Sequence, residues 1–114
     1  MSAAITRELK REVERILRRL HIGTRLGLKY LVCAVSETTL DPNRTYLITK
    51  DLYWEIARKY KTTPSRVEQD IRSAICVCWE NAKDDLTQIV GHHLPKRPTN
   101  KEFIDYIAFY IRSN

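Results

Sequence analysis

The sequence predicts an all-α fold, a six-helix single domain containing a helix-turn-helix. Three observations carry that expectation. Apolar residues recur at three- and four-residue spacing in six separate stretches, and helix-capping residues stand before several of them. Nowhere does the two-residue alternation of a strand compete. A single domain is expected over residues 1–114, since 43% apolar content at this length supplies one core and two halves would each bury too little surface.

Ile5, Leu9, Val13, Ile16, Leu17 and Leu20 place the first helix at about residues 4–20, with Glu14 and Arg18 in the favourable i, i+4 charge order. Gly23 breaks the pattern, and Thr24 is the expected cap of a second helix reaching about Thr39, with Leu28, Leu31, Val32 and Val35 inward. Asp41, Pro42 and Asn43 signal a turn. Thr49 is the expected cap of a third helix whose stripe is Leu52, Tyr53, Ile56, Ala57 and Tyr60, ending at Lys61. Thr63 followed by Pro64 opens a fourth, because proline suits the first helical position, where its missing N–H is not needed; that helix is expected to reach Trp79. The polar run Glu80 to Asp85 turns the chain into a short fifth helix carrying Leu86, Ile89 and Val90 and closed by Gly91. Thr99 and Glu102 form a T-x-x-E capping box for a sixth, whose inner face is Phe103, Ile104, Ile107, Ala108 and Ile111.

Composition narrows the classes of function. Lys plus Arg number 20 against 14 Asp plus Glu, a formal charge of +6 that favours a polyanionic partner. No apolar run is long enough to span a bilayer or to act as a secretory signal, so no membrane partner and a cytoplasmic location are expected. Three cysteines without a C-x-x-C pair argue against a disulfide framework and a zinc knuckle, and buried free thiols are expected. Cys76, Cys78, His92 and His93 lack the spacing of a tetrahedral zinc site. No nucleophile stands in a motif with a base and an orienting acid, so no catalytic residue, metal or cofactor is expected and the chain is read as a non-enzyme. His92 and His93 follow a helix-ending glycine and are expected to be solvated. Trp54 and Trp79 are expected to pack in the core or at its boundary, whereas Tyr106, Phe109 and Tyr110 lie largely outside the last helix's inner stripe and either offer an aromatic surface for self-association or pack under the second helix or the terminal loop.

The segment of about 49–79 has the layout of a helix-turn-helix: Ala57 is the small residue of the first helix, and a short polar turn precedes the second. At about 100° per residue, Val67, Ile71, Ala74, Ile75 and Cys78 face the core, while Ser65, Gln69 and Arg72 sit near the opposite pole, flanked by Arg66, Glu68 and Ser73. Arg66, Glu68, Gln69 and Arg72 are therefore the candidate base-contacting residues: Arg donates two bonds to guanine, Gln brackets adenine, and Glu accepts from cytosine. Lys50, Lys59, Lys61, Thr62, Thr63, Ser65 and Ser73 are candidate phosphate contacts at helix ends and in the turn, joined by Lys96 and Arg97 ahead of the last helix.

At these residues the sequence resembles the C-terminal DNA-binding effector domain of the stage-zero sporulation protein A family of response regulators. The run ITKDLYWEIARKYKTTPSRVEQDIRSAICVCW, Ile48 to Trp79, is similar to the family's ITKxLYxxIAxKxxTTxSRVExxIRxAIxVxW block, and RPTNKEFIDYIAFYIR, Arg97 to Arg112, is similar to its PTNxEFI helix. Weaker similarity over Ile16 to Val35 extends the resemblance to most of the chain. It implies a six-helix transcriptional regulator that binds double-stranded DNA at TGTCGAA-type sites, often in tandem copies, and contacts RNA polymerase sigma factor. Carried over by motif position, Arg66, Glu68 and Arg72 would read bases or clamp the backbone, Ser65 would reach phosphate, and the Glu80 to Val90 surface would correspond to the polymerase-contacting region.

Two departures from that pattern matter. Where the family has a second arginine directly after the glutamate, this chain has Gln69 followed by Asp70, so the position read by residue 69 is expected to accept adenine. The family also joins this domain to a phosphorylatable receiver, for which 114 residues starting at Met1 leave no room, so no receiver domain is expected and phosphorylation control would be absent or external. The alternative expectation is a protein-interaction module, or a competitor of a full-length sporulation regulator, with weak or altered DNA binding.

Overall fold

Thr6 starts the first helix: its hydroxyl oxygen accepts a 3.0 Å hydrogen bond from the Leu9 amide, one of the donors a helix start leaves unmatched. In the computed structural model, which describes residues 5–23 and 25–113, α1 runs Arg7–Arg19 and α2 runs Arg25–Leu40. The expected start at residue 4 and the expected cap at Thr24 lie outside the described residues. The break between the helices comes earlier than Gly23. His21 takes the left-handed conformation at φ 64°, and the bonds Ile22 N–H to Leu17 O and His21 N–H to Arg18 O, both 3.0 Å, close a Schellman motif that buries Ile22 completely.

A 3-10 turn, Pro42–Leu47, follows, with Asp41 accepting from the Asn43 amide at 3.1 Å. It leads into a π-type turn, Ile48–Leu52, and then into α3, Tyr53–Lys59. Thr49 is therefore not a cap. The wider turn carries the chain straight into α3, and the Tyr53 amide donates to the Ile48 carbonyl, so the helix starts without a side-chain cap. Arg44 fixes this irregular segment. Its side chain is only 11% exposed and bonds Glu37 of α2 at 2.9 Å and Glu55 of α3 at 2.7 Å.

The remaining helices are α4, Pro64–Asn81, α5, Lys83–Val90, and α6, Asn100–Arg112. A single residue, Ala82, separates α4 from α5, a sharper corner than the polar run Glu80 to Asp85 suggested. Gly91 ends α5 at φ 91°, and both bonds of the Thr99–Glu102 capping box are present, at 3.1 and 2.9 Å. Among the described residues there are six α-helices and no strand, a single all-α domain.

The core lies around α2, which packs against α1, α4 and α6. Leu17, Leu31, Leu52, Ile71, Ile75, Phe103 and Ile107 are completely or almost completely buried there. Each such large apolar side chain stabilises the fold by about 1.5–3 kcal/mol relative to exposure. α4 thus has one face set into this core and the other directed outward.

Candidate nucleic-acid interface

The joint between α3 and α4 is built by the backbone. Lys61 takes φ 55°, the left-handed conformation usually left to glycine, and this lets the Thr62 amide reach the Ala57 carbonyl at 2.9 Å while the Lys61 amide reaches Arg58 O at 3.4 Å. Thr63 then caps α4, its hydroxyl oxygen accepting from the Arg66 amide at 3.1 Å, with Pro64 at the first helical position. The Thr63 proton remains available for donation outward.

Val67, Ile71, Ala74, Ile75 and Cys78 are the buried residues of α4, the set its helical spacing predicts. Ser65, Arg66, Gln69, Arg72 and Ser73 are exposed on the remaining surface of the first three turns. Glu68 is half-buried at the edge, where its carboxylate accepts a 2.8 Å bond from Arg72 Nη2. With side chains 53% and 36% exposed, the pair adds little stability, about 0.3–0.5 kcal/mol for such an i, i+4 contact. What it does is hold the Arg72 guanidinium along the helix. Asp70 is half-buried, with Oδ2 shielded from solvent.

The start of α6 is brought to the same edge. Asn100 Nδ2 donates to Tyr53 Oη at 2.9 Å and to the Glu68 carbonyl at 3.1 Å, tying α6 to both α3 and α4. Burial pushes the Tyr53 phenol up, and the bond from Asn100 pulls less strongly the other way. A cleft of about 350 Å³ results, in which Arg72, Glu68, Arg97 and Lys101 share a lining with Thr49 and Asn100. Arg97 also reaches Cys76 Sγ at 2.7 Å, on the polar side of α4 one turn beyond Arg72. Lys101 and Asn100 were not singled out by sequence; the asparagine in the PTN block was the available signal.

Lys50, Lys61, Thr63 and Lys96 are exposed and Thr62 is half-buried; Lys59 is exposed as well but lines a cavity against α1 and α2, its ammonium 5.5 Å from the Tyr60 ring centroid. Trp54 corrects an expectation. It is 54% exposed, because Leu52, Tyr53, Ile56 and Ala57 already fill the inward side of α3 and its approach. Trp79 is half-buried, with the Lys83 ammonium 4.4 Å over its ring. Only Cys78 of the three free thiols is fully buried, and desolvation pushes it up to about 12; Cys33 and Cys76 are half-buried. His92 and His93 are exposed. Phe109 is 64% exposed, while Tyr106 and Tyr110 are half-buried.

The family described as sporulation initiation factor Spo0A C terminal matches residues 13–111, a span that takes in the whole of α2 to α5, the α3–α4 joint and nearly all of α6. The chain belongs to this family. The Spo0A C-terminal family is a DNA-binding domain of a sporulation regulator, so double-stranded DNA is the polyanion its basic charge serves, and transcription regulation is its setting. In this Spo0A C-terminal domain, no helix among the described residues is long and apolar enough to cross a membrane.

Proposed function

We propose that this domain, spanning the chain, is a sequence-specific transcriptional regulator that uses α3 and α4 as a helix-turn-helix, with α4 in the major groove of TGTCGAA-like sites. The observation that carries the proposal is the division of α4: an apolar face fully buried in the core and, opposite it, Arg66, Gln69 and Arg72 exposed together over its first turns. Arg66 and Arg72 each present a guanidinium fork suited to guanine, Gln69 suits adenine, and Glu68 either accepts from cytosine or orients Arg72. Lys50, Lys61, Thr62, Thr63, Ser65, Ser73, Lys96 and Arg97 supply phosphate contacts that set register, with Lys59 an outlying member of the set. The Ser65 amide adds a donor at the α4 start, since the Arg66 amide is already taken by Thr63.

Exposed Tyr46, Leu47, Trp54 and Phe109 support protein contacts beside DNA, with a second copy on a tandem site or with RNA polymerase sigma factor. The protein catalyses no step and works in the cytoplasm at the nucleoid. A gel shift on a TGTCGAA-type duplex against a scrambled duplex, at near-physiological salt, tests it. Preferential retardation of the first is expected; equal affinity for both would replace sequence recognition with an interaction role.

A further inference from the structure

A second concave site lies away from the exposed face of α4, between the α1–α2 pair and the end of α3. It is a cavity of about 390 Å³, within the size range of small-molecule pockets. Its floor is apolar, made by Leu28, Val32 and the half-buried Cys33 thiol, which burial pushes up. Its rim is cationic. Lys29 and Lys59 approach the Tyr60 ring, each ammonium 5.5 Å from the centroid, and Lys10 lines the same cavity. The ring is itself braced edge-on by buried Tyr30, centroid to centroid 5.5 Å.

The charges that line this cavity do not balance, and Glu37 and Glu55, whose charges also reach Cys33, are already bonded to Arg44. Glu14 is the one carboxylate in the lining, and it is already bonded to Arg18 Nε at 2.9 Å. Among the described residues, Lys10, Lys29 and Lys59 have no ion-pair partner. A neutral apolar molecule would cover the floor but leave the lining lysines without a counter-charge. A bare inorganic anion would answer the lysines and leave the apolar floor uncovered. One molecule that does both has an acidic head and an apolar body.

We propose that this cavity binds a small amphipathic anion, its carboxylate or similar acidic head between Lys29 and Lys59 beside Tyr60 and its aliphatic or aromatic body over Leu28, Val32 and Cys33. Because Lys59 also belongs to the proposed phosphate-contacting set, an occupied cavity withdraws one cation from DNA. That consequence rests on the DNA reading, whereas ligand binding does not, so the two are measured separately.

The full chain is titrated with 8-anilinonaphthalene-1-sulfonate, followed by its fluorescence, and the probe is then competed with octanoate or octanol. One saturable site is expected, emptied by octanoate and not by octanol at equal concentration. Lys29→Glu, at an exposed position, should weaken both anions at least tenfold with an unchanged urea midpoint, and Val32→Trp should abolish binding by filling the floor. Octanoate should also slow alkylation of Cys33 by N-ethylmaleimide, read on the Cys33 peptide by mass spectrometry. Equal competition by octanol, undiminished binding to Lys29→Glu, or an unprotected Cys33 would each overturn the site, and the Lys29 and Cys33 results decide even if Val32→Trp does not fold. Saturating octanoate should lower affinity for a duplex of any sequence and reduce its salt slope by about one. An unchanged slope with Cys33 protected would overturn the link to DNA and leave the site standing.

Discussion

Arg72 meets solvent already bonded to Glu68 one turn before it, and this separates two properties that usually change together. Glu68→Ala should cost only about 0.3–0.5 kcal/mol in urea unfolding, as an exposed helix pair does, yet reduce discrimination between a TGTCGAA-type duplex and its variants. Unchanged discrimination in a competition assay would show that the carboxylate neither reads nor positions. Gln69 carries a sharper prediction: single G-to-A variants of the site should include one that binds as well as or better than the parent, and equal loss on every variant would discard the adenine preference. At Lys61 the φ of 55° strains any side-chain-bearing residue. Lys61→Gly should relieve that strain and raise stability by about 0.5–1 kcal/mol, while removing a charge from the proposed phosphate frame. Thermal unfolding and DNA affinity should therefore move in opposite directions.

Helices whose signals are local were legible in the sequence. Thr63 and Pro64 announce α4, Thr99 and Glu102 announce α6, and the five inward residues of α4 follow from helical spacing alone. Asp41, Pro42 and Asn43 announced the turn after α2, but the way into α3 was not legible, because a π-type turn satisfies its backbone through Ile48 O and leaves no capping residue to read; Thr49 only resembled one. Arg44 and Asn100 were hidden for a different reason. Glu37 and Glu55 stand on different helices 7 and 11 residues from Arg44, Tyr53 and the Glu68 carbonyl 47 and 32 residues from Asn100, and no periodicity encodes such pairs. Trp54 was misplaced by treating proximity to apolar neighbours as burial, when α3 has room inward for one face only. Arg44→Met should destabilise by about 3–5 kcal/mol in urea unfolding, since it leaves the Glu37 carboxylate largely buried and unpaired. A loss below 1 kcal/mol would show that the segment is held by packing alone.

Across the whole molecule, α2 supports α1, α4 and α6 at once, and α6 returns through Asn100 to brace the edge from which Arg72 projects. The outward side of α4 is therefore rigidly backed, and a net charge of +6 draws DNA toward it without selecting a sequence. In the proposed function, selection comes from the side chains on that face. The most direct test is a pair of titrations at near-physiological salt, the native chain and Arg66→Ala each against a TGTCGAA-type duplex and a scrambled one. The native chain should prefer the first, and Arg66→Ala should lose about 1–3 kcal/mol on it while changing little on the second. Equal losses on both duplexes, or no loss on either, would contradict base recognition by α4.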